Sequence, residues 1–177
     1  MTPGRTPRDV ILGLTEVDGA CRDINWFGLN TDGAIALLLW ICERYTITAL
    51  QNYTDDETVP CDVDSACEAL VAGRSFQGVF QEGPPEISQI QYFSYRENES
   101  ADWFVELTFF PQDVSLEKGL APFVQLIDDA KQRCNASAYY VRYEDGSFDT
   151  VWQQREHRVV VYSSEDATDL LAAVEAI

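Results

Sequence analysis

The chain has 177 residues, with 30 Asp and Glu against 12 Lys and Arg, for a net charge of −18 and a pI near 4.1. Such a field repels nucleic acid, phosphate-rich ligands and anionic membrane, so it excludes those partners and points to a basic one. A hydrophobic fraction of 46%, with 9 Phe, 8 Tyr and 4 Trp, excludes a disordered acidic tail, and the length suits one domain over residues 1–177 that buries roughly 70% of its unfolded surface.

Residues 1–8 read as a flexible arm. The run Val10-Ile-Leu-Gly-Leu-Thr-Glu-Val17 reads as a first strand with Val10, Leu12 and Leu14 on one face, ended by Asp18-Gly19. Its apolar part is too short for a secretory signal, and the apolar run Ala34–Cys42 is only nine residues where about 20 are needed to span a membrane, so a cytoplasmic location is expected. That same run predicts a central, buried helix over 32–45, capped by Thr31 or Asp32. Thr46–Leu50 fits either a strand or a continuation of the helix.

A second helix is predicted over 62–72, with Asp62 as N-cap, a stripe of Val63, Ala66, Cys67, Leu70 and Val71, and Gly73 in the left-handed C-cap position. The clearest strand is Trp103–Phe109, where Trp103, Val105, Leu107 and Phe109 alternate with Phe104, Glu106 and Thr108; it pairs with Ile87–Tyr95 in a hairpin spanning 87–110. Pro122 opens a helix over 122–133. Asp145-Gly146 predicts a second hairpin over 139–152, Arg158–Tyr162 a further strand, and Ser163 or Ser164 a cap for a helix over 164–177. The expected fold is α+β, a mostly antiparallel sheet of about six strands with about four helices.

No motif carries a defined chemistry. His157 is the only histidine, so any Ser–His or Cys–His mechanism must use it, and it reads as a strand-entry residue. Gly73-Arg-Ser-Phe-Gln-Gly78 has its second glycine one position late for a nucleophile elbow and follows a helix where that motif follows a strand. Cys21, Cys42, Cys61, Cys67 and Cys134 are odd in number and lack zinc-site spacing. Asp62-Val-Asp64 fails as a calcium loop, because Cys67 and Gly73 stand where Gly and Glu are required. The sequons at Asn52, Asn98 and Asn135 read as chance without a signal peptide. Neither cofactor nor metal is expected.

What remains is the charge pattern. Asp55, Asp56, Glu57, Asp62 and Asp64 lie in a stretch without a base, as do Glu97 and Glu99, and these seven are the expected partner-binding residues. Tyr53, Tyr92, Tyr95 and Trp103 are nearby candidates for aromatic anchors. The expectation is an acidic, non-enzymatic inhibitor that neutralises a basic partner: an immunity (antitoxin-like) protein blocking a cognate toxin such as a nuclease. The alternatives are a small enzyme using carboxylates and His157, an adaptor in an assembly, or plain solubility in a salt-rich cytoplasm. Oligomeric state is left open.

Overall fold

Alternation along β5 (Trp103–Phe109) sets the architecture: Trp103, Val105, Leu107 and Phe109 are buried, while Phe104, Glu106 and Thr108 between them are half-buried on the opposite face. The computed structural model describes residues 6–52, 60–99, 101–144 and 160–175. Around β5 lie β1 (Arg22–Leu29), β2 (Thr46–Asn52), β3 (Phe76–Gln81), β4 (Ile90–Tyr95), β6 (Ala138–Tyr143) and β7 (Val160–Ser163). They form one sheet in the order β2-β3-β4-β5-β1-β6-β7, every neighbouring pair antiparallel. The β4–β5 hairpin has the predicted register face, with Ser94 opposite Val105.

Five α-helices accompany the sheet among the described residues: α1 (Pro7–Thr15), α2 (Thr31–Cys42), α3 (Val63–Val71), α4 (Ala121–Cys134) and α5 (Ala167–Glu175). They lie on one face. α2 packs against α3, α4, β1 and β5; α4 packs against α5; and α1 packs against α5 and β7. Phe123 of α4 meets the rings of Phe109 and Tyr162, 6.0 and 6.4 Å between centroids. Ile24, Trp26, Tyr92, Val105, Leu107, Tyr139 and Val141 complete the sheet side of this core. The α+β class is as predicted, with seven strands for the expected six and five helices for the expected four.

The largest correction is at the start. Val10–Val17 is not a strand: residues 7–15 form α1, so Pro7 and Arg8 of the expected arm are helical. The buried positions are Val10, Gly13 and Leu14, an i, i+3, i+4 set, whereas Leu12 is 52% exposed. Thr6 and Asp9 make a capping box, with the Asp9 amide donating to Thr6 Oγ1 at 3.3 Å and the Thr6 amide donating to the Asp9 carboxylate at 3.2 Å, and Pro7 opens the first turn. Its other end rests on Arg22, which is fully buried: the guanidinium donates to the Gly13 and Glu16 carbonyls, pairs with Asp18 at 3.3 Å, and sits 4.3 Å from the Tyr143 ring centroid.

Smaller differences have equally local causes. α2 is capped by Asn30, whose Oδ1 accepts from the Gly33 amide at 2.8 Å, not by Thr31 or Asp32, and it ends at Cys42 because residues 46–52 pair with β3. In α3 the buried side is Ala66, Ala69 and Leu70, while Val71 is 68% exposed. Gly73 has φ +71, as its C-cap role requires. α5 starts at Ala167, three residues beyond Ser164; Asp166 accepts from the Ser163 amide and hydroxyl, both at 2.8 Å. β6 pairs with β7, but the Asp145-Gly146 turn and residues 147–152 of the second hairpin lie outside the described residues, as do Arg158 and Val159. No helix is long and apolar enough to cross a membrane, and no disulfide forms among the described residues.

Candidate functional site

The second face of the sheet carries no described helix. Its central strands place Asp23 and Asn25 (β1), Gln91 (β4), Phe104, Glu106 and Thr108 (β5) and Arg142 (β6) side by side, since Asp23 is opposite Thr108 and Arg142, Asn25 is opposite Glu106, and Gln91 is opposite Thr108. These residues, with Cys21, Phe110 and Glu144 but without the deeper Asn25, line a cavity of about 450 Å³.

Arg142 is the centre of the arrangement. Its side chain is 4% exposed, its Nε donates to Asn25 Oδ1, and its terminal nitrogen lies 3.5 Å from Asp23 Oδ2 and 3.4 Å from Glu106 Oε2. Asn25 donates in turn to Glu106 Oε2 at 2.7 Å, and Thr108 Oγ1 donates to Asp23 Oδ1 at 2.7 Å. Glu144 accepts from the Cys21 amide at 3.5 Å. Two carboxylates, Asp23 and Glu106, therefore share one buried guanidinium. Burying a charge is tolerated only with such partners, and this network supplies them unevenly.

The imbalance shows in the titration of Asp23. Burial, reinforced by the Glu106 charge, pushes its carboxyl up to about 6, against the opposing pull of Thr108 and Arg142. Between about pH 4 and 6 the fold therefore holds a proton that the unfolded chain has released, so stability attributable to Asp23 falls as pH rises through about 6. Asp23→Asn, compared with the parent by urea unfolding, should gain about 2 kcal/mol more at pH 7 than at pH 4. A difference that does not change with pH would show that Asp23 ionises as easily in the fold as outside it. Burial, then Glu144 and Asp23, pushes the Cys21 thiol up to about 12, so it is protonated at neutral pH and no nucleophile.

Of the seven partner-binding residues expected from the sequence, the four that are described, Asp62, Asp64, Glu97 and Glu99, do not line this cavity. Asp55, Asp56 and Glu57 lie outside the described residues, as do Tyr53 and His157. Asp62 caps α3, accepting from the Ser65 amide at 2.7 Å, which holds its carboxyl below the ordinary value; Asp64 is exposed in the first turn. Glu97 and Glu99 are exposed in the β4–β5 turn, whose Arg96 reaches the far end of α3 at Gly73, so α3 separates the two groups by about 14 Å of helix. Of the aromatic candidates, Tyr92 and Trp103 belong to the core, Arg96 covering Trp103 at 4.9 Å, and Tyr95 is 44% exposed.

Glu106 and Thr108 were visible as the polar half of an alternating strand, but Asp23, Asn25 and Arg142 gave no signal. They are polar residues buried on the face that carries no described helix, and only the pairing of β1 with both β5 and β6 brings them together.

No protein-family model matches the chain, and no curated protein matches it. Among solved structures it is similar to a chain in the crystal structure of the toxic C-terminal tip of CdiA from Pseudomonas aeruginosa in complex with immune protein, with a TM-score of 0.47 and 13% identity over 71% of this chain and 86% of that one. It is also similar to a T6SS protein of Pseudomonas aeruginosa, with a TM-score of 0.42 and 15% identity over 70% of this chain and 40% of that one. At these scores neither likeness carries a conclusion about partner or activity.

Proposed function

We propose that this chain is an acidic binding protein that neutralises a basic protein partner, in the manner of an immunity (antitoxin-like) protein covering the active site of a cognate toxin such as a nuclease. The observation that carries this reading is where the few cations go. Arg22 is spent on Asp18, Arg44 on Glu43 and Asp129, Arg133 on Glu43, and Arg142 on Asp23 and Glu106. With these four of the twelve cations paired within the chain, Arg22 and Arg142 in the interior and Arg44 and Arg133 at the surface, exposed carboxylates such as Asp64, Glu97 and Glu99 present the net charge of −18 outward. A nuclease must hold phosphates in a cationic cleft, and a field of this sign and size steers such a surface toward the protein.

The test is the association rate with the basic product of a neighbouring reading frame, measured against NaCl. Steering of this kind raises on-rates to about 10⁸ M⁻¹s⁻¹ at low salt, against roughly 10⁵ to 10⁶ for a neutral pair, and salt removes much of the gain. Asp55→Asn/Asp56→Asn/Glu57→Gln and Glu97→Gln/Glu99→Gln probe the two acidic groups separately; the group at the interface is the one whose loss slows association and flattens the salt slope. A rate insensitive to salt in the parent and in both variants would end the inhibitor reading.

A further inference from the structure

Resting on the reading of a basic partner, we infer that the cavity on the sheet face that carries no described helix is a socket for one arginine side chain of that partner. Three features argue for it. The first is volume: about 450 Å³ lies at the small end of the roughly 300–1,000 Å³ range of ligand clefts, room for one long side chain and not for a folded segment. The second is charge. Among the described residues of the lining, Asp23, Glu106 and Glu144 stand against one cation, Arg142, and so keep an excess of negative charge after their internal pairing. Glu106 and Glu144 each commit only Oε2 to the hydrogen bonds described above.

The third feature is shape. Phe110 forms part of the wall and is half-exposed, so it offers a ring face beside the carboxylates. A guanidinium is planar, stacks on aromatic faces and is weakly hydrated, whereas an ammonium is a compact and strongly hydrated charge; a socket that combines carboxylates with an aromatic wall selects the former. Gln91, exposed on β4, stands at the lining as a neutral residue whose replacement alters the charge of the socket without disturbing the core.

The probe is the tripeptide acetyl-Gly-Arg-Gly-amide, titrated into the whole protein and followed by backbone amide resonances, beside its lysine and citrulline analogues and free L-arginine. Saturable shifts are expected at Gln91, Thr108 and Glu144, with affinity about tenfold weaker for citrulline, which keeps the shape and loses the charge, and weaker again for free arginine than for the amide, because its carboxylate is repelled. Gln91→Lys, which places a competing cation at the lining, should abolish the shifts while leaving the thermal midpoint in place; Glu144→Gln should weaken binding about threefold.

Equal binding of the arginine and citrulline peptides, tighter binding of lysine or of free arginine, or shifts confined to Glu97 and Glu99 would overturn the socket. Failure of the socket and failure of the broader reading are distinct outcomes. If the basic partner still associates with the parent and with Gln91→Lys at the same salt-dependent rate, the socket alone is wrong. If no basic partner associates with the parent, the reading it rests on is wrong.

Discussion

Arg142→Ala should cost the fold about 3–5 kcal/mol at neutral pH, the cost of removing one partner from a buried ion pair and leaving the other unpaired. The guanidinium is 4% exposed and is the cation shared by Asp23 and Glu106, and Asn25 accepts from its Nε. Two features separate this expectation from a general packing loss. The deficit should shrink below pH 5, because Asp23, already pushed up to about 6, then takes up a proton and no longer needs a cation. Asp23→Asn should also recover part of it, so that the two substitutions couple by more than about 0.5 kcal/mol in a double-mutant cycle. A loss under about 1 kcal/mol, or one that ignores pH, would show that the network does not hold the sheet together.

Val105→Asp should unfold the protein or cost it at least about 4 kcal/mol, since Val105 is fully buried opposite Trp26 and Ser94, neither of which carries a charge to balance a carboxylate. The proper comparison is Asp102→Lys, exposed immediately before the same strand, which should stay within about 0.5 kcal/mol. Glu106→Lys, the natural choice of control from alternation alone, is unsuitable. Its side chain is 23% exposed and accepts from Asn25 and Arg142, and a lysine there would face Arg142. Similar urea midpoints for Val105→Asp and Asp102→Lys would refute the register of β5.

The elements legible from sequence are those in which a single face decides the pattern. β5 alternates cleanly because one side is core, and α4 shows Phe123, Val124, Ile127 and Ala130 at helical spacing because its other side faces water. α1 was misread because Val10, Leu12 and Leu14 satisfy a period of two as well as Val10, Gly13 and Leu14 satisfy the helical one; the deciding feature was the cap, Thr6-Pro7-x-Asp9, which lay in what looked like a loose arm. β1 was missed for the opposite reason. Arg22, Asp23 and Asn25 are all buried, so the strand shows no contrast between its faces, and a run of charged residues does not resemble the centre of a sheet. β3 shares the difficulty, with Gly78 at a core-facing position where Phe80 and Leu50 already fill the space. The cavity inherits this blindness, since its carboxylates come from β1, β5 and the end of β6. Proximity in the sequence grouped Asp62 with Asp64 and Glu97 with Glu99; strand pairing groups Asp23 with Glu106.

The central position of β1 has a kinetic consequence. Strands β2 to β5 form a meander of sequence neighbours and assemble as they are made, but β1 is bonded on both sides to strands that follow it far along the chain, β5 and then β6. On a ribosome working at roughly 5–20 residues per second, β1 waits on the order of ten seconds before Tyr143 exists to close its second edge. During that interval the strand that ends at Leu29 is an unpaired edge bearing Ile24, Trp26 and Leu29, and folding is governed by the late closure of a long loop. The order of synthesis thus runs against the order of the sheet, and any truncation that removes β6 opens one edge of β1, a strand from the middle of the sheet and not from its rim.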